Sequence, residues 1–136
     1  MQVEMFSLCD AATVESGKLN ILGAFDTIAA QKIPVVHPHC TVALRFRFQA
    51  SEGNEHNISV KFVDIDGGNV IPPANGVIKI KYAKEQRSSS ANLVLNLQGL
   101  KLEKFGEYSI DLAVNGKNVA SLPLFVRERK IANILP

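Results

Sequence analysis

Apolar and polar residues alternate with a period of two along most of the chain. In the segment 41–49, the even-numbered residues from Val42 to Phe48 are apolar, whereas the odd-numbered residues include Arg45 and Arg47. Successive side chains of a β-strand point to opposite faces, so this pattern predicts a strand with one buried and one solvent-facing side. A helix would scatter the same apolar groups around its circumference. Phe46, in the middle of the segment, is therefore predicted to lie in the core.

The same alternation predicts further strands within 58–62, 78–82, 92–98, 108–114 and 120–126. Two earlier segments, 5–12 and 18–30, are apolar on both sides and predict strands that are covered on both faces. Gly23 divides the second of these and indicates a bulge or a close approach of the backbone. The total is about eight strands, and no segment predicts an amphipathic helix longer than two turns.

Turn residues between these segments favour hairpins. Asn115-Gly116 lies between two alternating segments and is typical of a type I′ turn, and Ser16-Gly17 is expected to join the first two strands. Pro123 has no amide proton, so its strand is expected at an edge or at a bulge. Gly106 and Tyr108 match the spacing of a tyrosine corner, in which the hydroxyl bonds to upstream backbone. We expect an all-β fold, an antiparallel immunoglobulin-like β-sandwich of about eight strands, with a small β-barrel as the alternative.

Composition and length agree with one globular domain. The chain has 136 residues, of which 46% are hydrophobic and 21% are charged, with a formal net charge of +2. We expect a single β-sandwich domain over 1–127 and a C-terminal tail over 128–136. No apolar run has the length of a transmembrane helix, so a membrane partner is not expected. Two cysteines, Cys9 and Cys40, and a start without secretory features predict reduced thiols and a cytoplasmic location.

Several short segments resemble a known family. They are Leu8–Thr13, Gly17–Asp26, Gln98–Leu100 and Gly106–Tyr108. In these segments the chain resembles a family of small uncharacterised bacterial proteins, and the resemblance extends from about Val3 to Val126. It implies a β-sandwich in a bacterial cytosol. Because the family has no assigned activity, the resemblance implies no catalytic residue.

Two segments have the composition of weak metal sites. Asp64–Asn69 imitates the start of a calcium loop, but the position of the bidentate glutamate is occupied by Asn75. His37–Cys40 holds two histidines and a cysteine, but neighbouring side chains of a strand point to opposite faces, so all three cannot readily meet one zinc ion. The favoured interpretations are a turn for the first segment and, for the second, a proline-flanked loop that enters the next strand with Cys40 packed in the core. We expect no metal and no cofactor.

Motifs of catalysis are missing from the sequence. There is no Gly-x-Ser-x-Gly elbow, His-Glu-x-x-His, Cys-x-x-Cys or Walker loop, and the Ser88–Ser90 run has no base nearby in the sequence. We therefore expect no enzyme. A hydrolase with a dispersed triad stays open as an alternative, because a triad need not be local in sequence.

Charge is concentrated on the non-core side of three consecutive predicted strands. The cations there are Arg45, Arg47, Lys61, Lys79 and Lys81. If these strands are neighbours, the five side chains share one sheet face that suits an anionic ligand or an acidic partner, although such cations also serve to keep a sheet soluble. A crossing between sheets at Pro72-Pro73 would divide the patch. The aromatic residues of these strands fall on the opposite face, so a nucleic-acid partner is not expected.

These observations predict a non-enzymatic, cytosolic β-sandwich module for protein association, either with itself or with a partner. The chain carries no chemical motif, and its first two strands are apolar on both sides, which is typical of an interface when such a surface is left exposed. The alternatives are a module that binds an anionic ligand through the basic face and an undetected hydrolase.

Overall fold

The computed structural model describes residues 1–130, which form nine β-strands in two sheets. The strands are β1 (Gln2–Glu15), β2 (Lys18–Ala24), β3 (Thr27–Ala30), β4 (Val35–Gln49), β5 (Glu55–Val63), β6 (Ala74–Lys79), β7 (Ser88–Leu102), β8 (Gly106–Val114) and β9 (Lys117–Glu128). A 3-10 turn, Ala50–Glu52, joins β4 to β5, and the described part of the chain has no α-helix. Accordingly, none of its helical segments has the length and apolarity needed to cross a bilayer. The all-β fold is confirmed.

The first sheet has the strand order β2-β1-β4-β7, and the second has the order β3-β9-β8-β5-β6. All pairs are antiparallel except β3 with β9, which is parallel. About eight strands were expected and nine are present, because the predicted strand over 18–30 ends at Ala24 and resumes at Thr27. Its two halves join different sheets, since β2 pairs with β1 whereas β3 pairs with β9. The expectation of a wholly antiparallel fold is wrong for the same reason.

The core lies between the two sheets and consists mainly of the residues that alternation placed inward, together with Leu8, Ile28, Cys40, Leu100 and Leu102. Phe46 is fully buried, and its ring centroid lies 5.8 Å from that of Phe48. Phe48 in turn stacks on the buried His56 at 3.9 Å. Nδ1 of His56 is 3.0 Å from the Asn115 side-chain nitrogen, and Nε2 is 3.1 Å from the Gly53 carbonyl oxygen. The predicted inward face of the segment 41–49 is therefore confirmed.

Local turn chemistry also follows the sequence. Asn115 and Gly116, between β8 and β9, have φ values of 52° and 80°, and Ser16 and Gly17, between β1 and β2, have 51° and 73°. Two consecutive positive φ angles are the requirement of a type I′ hairpin turn. Gly23 has a φ of 68°, and a β-carbon there would collide with the Asp10 carboxylate. The predicted turns and the close approach at Gly23 are confirmed.

Pro123 lies in a part of β9 that is paired on one side only. The Phe125 amide donates to the Asp26 carbonyl (2.8 Å), just before β3 begins to pair with β9. Amides two residues apart on a strand point the same way. The nitrogen of Pro123 therefore points to the same side of β9 as β3, but β3 pairs only from Phe125 onward and does not extend to Pro123. No ladder hydrogen bond is lost at Pro123, and the predicted edge position is confirmed.

Tyr108 forms the predicted tyrosine-corner contact at the start of β8. Its hydroxyl donates to the Lys104 carbonyl oxygen (2.9 Å) and accepts from the Lys104 amide (3.1 Å). The ring is buried, with its centroid 6.5 Å from that of Phe62. The hydroxyl thus ties the β7–β8 connection to the core.

Several strand boundaries differ from the sequence prediction. β4 begins at Val35, so the loop expected at His37–Cys40 is part of this strand. The strand expected over 78–82 instead spans Ala74–Lys79, because the Ile80 amide donates to Asn54 beyond the end of β5 and the chain then leaves the sheet. The last strand ends at Glu128, and the Arg129 amide still donates to the Ala30 carbonyl. The rest of the predicted tail, 131–136, lies outside the described residues, and the single domain over 1–127 stays a prediction.

Candidate functional site

Arg45 and Arg47 are held by one carboxylate. Glu4 occupies a β-bulge in β1, where the register with β4 shifts between Val3 and Met5. Its two oxygens accept hydrogen bonds from Nε of Arg45 (3.0 Å) and Nε of Arg47 (2.8 Å). The hydrogen bond from Arg47 is the main cause that lowers the pKa of Glu4 below its ordinary value of 4.5. These two arginines therefore clamp β1 to β4.

The β1–β2 hairpin folds back over the outer face of the first sheet. The carbonyl oxygen of Gly17, at the hairpin tip, accepts hydrogen bonds from Arg45 Nη1 (3.3 Å) and Asn92 Nδ2 (3.1 Å), which lie on β4 and β7. Thr41 and Ala43, on the same outer face of β4, are fully buried. The predicted solvent-facing side of the segment 41–49 is therefore wrong at Thr41 and Ala43, which the hairpin covers. The prediction that both faces of the first two strands are covered is wrong for β2, which has no buried residue and leaves Leu22 71% exposed.

The three lysines of the predicted basic face lie elsewhere. Lys61 on β5 and Lys79 on β6 belong to the second sheet, and Lys81 follows the end of β6. Lys61 is opposite Asp111, whereas Lys79 is opposite Glu55. Because six residues of β5 separate Lys61 from the register position of Lys79, the two lysines are roughly 20 Å apart.

The prediction that five cations share one sheet face is therefore wrong. The chain crosses between sheets at the 3-10 turn Ala50–Glu52, which joins β4 of the first sheet to β5 of the second. The crossing that was considered at Pro72-Pro73 does not occur, since β5 and β6 are neighbours. Arg45 and Arg47 are thus separated from the lysines and paired with Glu4. Whether any of these residues binds an anion stays a prediction.

The candidate calcium segment is a closed turn. Oδ1 of Asp64 accepts hydrogen bonds from the amides of Asp66 and Gly68, both at 2.9 Å, and the Asp64 amide donates to the Gly68 carbonyl. Asp66 faces Lys104 at 3.6 Å. The Asp64 carboxylate thus has a structural partner in the turn itself.

The two histidines and the cysteine of the second candidate metal site diverge. The ring of His37 packs against Phe25 with a centroid distance of 5.6 Å, His39 is exposed, and Cys40 is in the core. Within residues 1–130, no group of three histidine, cysteine or acidic side chains has the proximity that a metal ion needs.

Both cysteines are free and buried. Cys9 is opposite Thr41 in the β1–β4 register, and its thiol contacts the Thr41 carbonyl at 3.4 Å. Cys40 precedes Thr41 and points to the core, so the two thiols lie on opposite faces of the first sheet. Burial raises the pKa of Cys40 to about 11. This placement separates the two sulfurs by the sheet itself.

The feature that the sequence analysis missed is the outer edge of β7. This strand has 15 residues and pairs with β4 alone. From Ser88 to Leu100 no side chain is charged and none is proline. Natural edge strands are commonly protected from further pairing by short length, charge, proline or bulges. β7 lacks these protections until Gly99, where a positive φ of 62° interrupts it.

The other strands at the ends of the two sheets are protected in these ways. β3 has four residues, β6 has six and includes Lys79, and β2 has seven, with Lys18 at one end and the sharp bend at Gly23 near the other. The contrast singles out β7 by both length and charge.

Backbone groups of β7 point alternately to β4 and to the open side. The Ala50 amide donates to the Arg87 carbonyl (2.7 Å), and these residues are opposite in the extended β4–β7 register. Odd-numbered residues of β7 therefore bond to β4, and even-numbered residues point away from it. The carbonyl of Ser88, which points away, is taken by the Gln86 side chain at 2.9 Å. We call the remaining backbone groups the β7 edge; they belong to Ser90, Asn92, Val94, Asn96 and Gln98.

Apolar side chains border the β7 edge on its inner side. Leu93, Leu95 and Leu97 pack against the core and are only partly buried. The outer side carries side chains that are mostly polar, among which Asn92 and Asn96 are bonded within the sheet to Gly17 and Thr41. The edge thus combines unpaired backbone groups with an apolar margin. A motif search could not find it, because its signal is an absence of charge that matters only once β7 is known to be an edge.

Comparison with known proteins agrees with the fold and identifies no activity. The model of a family described as a family of unknown function, DUF6941, matches residues 4–127, which confirms the resemblance to an uncharacterised family. None of the curated proteins compared with the chain matches it.

The chain is similar to parts of two larger proteins of known structure. A β-glucosidase from Listeria innocua in complex with isofagomine has a TM-score of 0.51 and 10% identity, over 93% of this chain and 16% of that chain. The Pseudomonas fluorescens alkylpurine DNA glycosylase AlkC, bound to DNA with an abasic-site analogue, has a TM-score of 0.41 and 12% identity. The match covers 90% of this chain and 30% of that chain. The chain therefore spans a minor part of each protein, and the likeness to the glucosidase concerns the fold alone.

Proposed function

Because the chain belongs to DUF6941, a family of unknown function, we propose its role from its own surface: it is a non-enzymatic, cytosolic module that associates with proteins through the β7 edge. The observation that carries the proposal is the contrast among the four end strands, of which β7 alone is long and has no charged side chain from Ser88 to Leu100. An extended segment added to such an edge gains main-chain hydrogen bonds and side-chain contacts on both faces.

An immunoglobulin-like arrangement of the strands supports this assignment of the edge. With β1, β4 and β7 as strands A, B and E, and β5, β8 and β9 as C, F and G, the order of both sheets corresponds to that of an immunoglobulin domain. The tyrosine corner at Tyr108 lies at the start of the strand that corresponds to F. In such domains strand D covers the edge of strand E. Among residues 1–130 no strand takes the place of D, and its position beside β7 is open.

The non-enzymatic part of the proposal follows from the sequence, which has none of the common catalytic motifs. The serine run 88–90 supports it, since Ser88 accepts a hydrogen bond from Arg47 rather than from a base (3.1 Å). The cytosolic part is supported by two free thiols on opposite faces of a sheet. No observation in the described structure favours the anion-binding module or the hydrolase over this proposal.

Paired proline substitutions test whether the β7 edge carries the association. Val94→Pro removes an amide that points to the open side, so the ladder between β7 and β4 is kept. Val77→Pro is the matched control: Val77 is an exposed valine of the end strand β6. The Ile80–Asn54 bond indicates that its amide also points to an open side. Far-UV circular dichroism and thermal unfolding establish that both variants fold.

The association itself is measured with tagged chains recovered from native cells. A protein that is captured by the unsubstituted chain is identified, purified and titrated against all three chains. We expect Val94→Pro to weaken its binding at least tenfold and Val77→Pro to leave the binding unchanged. Equal binding by Val94→Pro and the unsubstituted chain would refute the proposed surface.

A further inference from the structure

The residues of β7 themselves indicate which strand binds the β7 edge. We propose that the edge binds the β7 edge of a second copy of this chain, antiparallel and around a two-fold axis at Val94. The inference rests on the proposed function and adds the identity of the partner.

Charge is the first argument for a second copy. With a two-fold axis at Val94, each residue lies opposite the residue that is equally far from Val94 on its other side, so only residue 94 meets its own kind. A charged side chain within Ser90–Gln98 would be covered by the second strand and would need an opposite charge at that partner position, which is why charges normally protect an edge strand. This stretch has no charged side chain. The absence removes the barrier that normally prevents an edge from pairing with itself.

The register around Val94 is the second argument. It places Asn92 opposite Asn96 of the second copy, and Ser90 opposite Gln98, so polar side chains meet on the outer face. On the inner face it places Leu93 opposite Leu95 of the second copy. Because even-numbered residues carry the outward backbone groups, each even–even pair exchanges two main-chain hydrogen bonds. Both faces of the strand are thus matched by one register.

The termini of the free stretch are the third argument. At one end the Gln86 side chain already bonds the Ser88 carbonyl, and at the other Gly99 turns the backbone away. The stretch that is left, Ser90–Gln98, is centred on Val94. A second β7 strand has the same free length and is interrupted at the same two ends, so it pairs along the whole stretch without unpaired residues. The first sheets of the two copies then form one continuous sheet.

Charge pairs at the ends of the register test the inference directly. The double variant Ser90→Glu with Gln98→Glu places glutamate opposite glutamate at both ends of the proposed pairing. The matched variant Ser90→Glu with Gln98→Lys has the same sites substituted but places opposite charges together. Light scattering measures the mass of each chain as a function of concentration. We expect the unsubstituted chain and the Glu/Lys variant to reach twice the chain mass, and the Glu/Glu variant to dimerise at least tenfold more weakly.

Spin labels measure the register. A label at Gln98→Cys is selective, because Gln98 is exposed and both native thiols are buried. With the axis at Val94, residue 98 of one copy is opposite residue 90 of the other. The two labels are then separated by eight residues, or roughly 27 Å along the strands. An axis at Asn96 would instead place them about 14 Å apart, since four residues of ~3.4 Å would separate them.

The outcomes separate this inference from the proposed function. A chain that stays monomeric at all concentrations overturns the second copy as the occupant, while the Val94→Pro capture experiment still decides whether another protein uses the edge. A dimer that is equally strong in the Glu/Glu and Glu/Lys variants overturns the β7 contact. A dimer whose labels lie far from 27 Å overturns the register.

Discussion

The hydroxyl of Tyr108 offers a direct measurement of what the tyrosine corner contributes to stability. Tyr108→Phe keeps the buried ring and removes only the oxygen that bonds both backbone groups of Lys104. Each intramolecular hydrogen bond contributes about 0.5–1.5 kcal/mol net. Two lost bonds therefore predict a decrease of about 1–3 kcal/mol in the free energy of unfolding. For a domain whose total is ~5–15 kcal/mol, this is a substantial fraction.

Urea unfolding followed by far-UV circular dichroism is the suitable assay, since the chain has no tryptophan and only two tyrosines. The other tyrosine provides the control. Tyr82 makes one exposed hydrogen bond, from its hydroxyl to the Gln49 carbonyl (3.1 Å). Tyr82→Phe is expected to change stability by less than ~0.5 kcal/mol, as exposed substitutions usually do. Equal effects of the two substitutions, or a loss below ~0.5 kcal/mol for Tyr108→Phe, would refute the reasoning.

Three further predictions concern the core, the clamp and the thiols. Phe46→Ala is expected to lower the free energy of unfolding by about 3–5 kcal/mol, because a fully buried ring leaves a cavity; a change below ~1 kcal/mol in the urea titration would contradict its burial. Glu4→Gln should destabilise the chain at pH 7. The stabilisation by Glu4 is present above its ordinary pKa of 4.5 and is lost as the pH falls through the lowered pKa. Thermal unfolding of both chains from pH 7 to pH 3 should therefore show a converging difference, and a constant difference would contradict the pairing. Cys9 and Cys40 should not react with a thiol reagent in the folded chain, and both should react after denaturation without prior reduction; a requirement for reductant would contradict the free thiols.

The clamp and the edge explain why the first sheet is asymmetric. On one side β4 is bound to β1 through Glu4 and is overlaid by the β1–β2 hairpin. On the other side β7 has no strand beside it. Arg45 and Arg47, which the sequence pattern assigned to a binding face, therefore hold β1 against β4. The candidate interaction surface is the opposite edge of the sheet, on β7.

The sequence alone determined those features that depend on neighbours along the chain. Alternation placed Phe46 in the core because successive strand residues point to opposite faces, whatever the strand order is. The Asn115-Gly116 turn followed from its need for two positive φ angles, and the Tyr108 contact reaches only four residues upstream. Pro123 was placed at an edge by its missing amide proton. Each of these inferences uses local geometry alone.

Only the tertiary structure decided which strands share a sheet. A period of two states which residues share a face of one strand, but it is identical whether the chain turns back beside that strand or crosses to the opposite sheet. The crossing at Ala50–Glu52 therefore separated Arg45 and Arg47 from Lys61 without any change in the pattern. The pairing of Glu4 with both arginines spans about forty residues, and the open edge of β7 exists because no strand of residues 1–130 lies beside it. These features depend on contacts between distant segments, which local alternation does not encode.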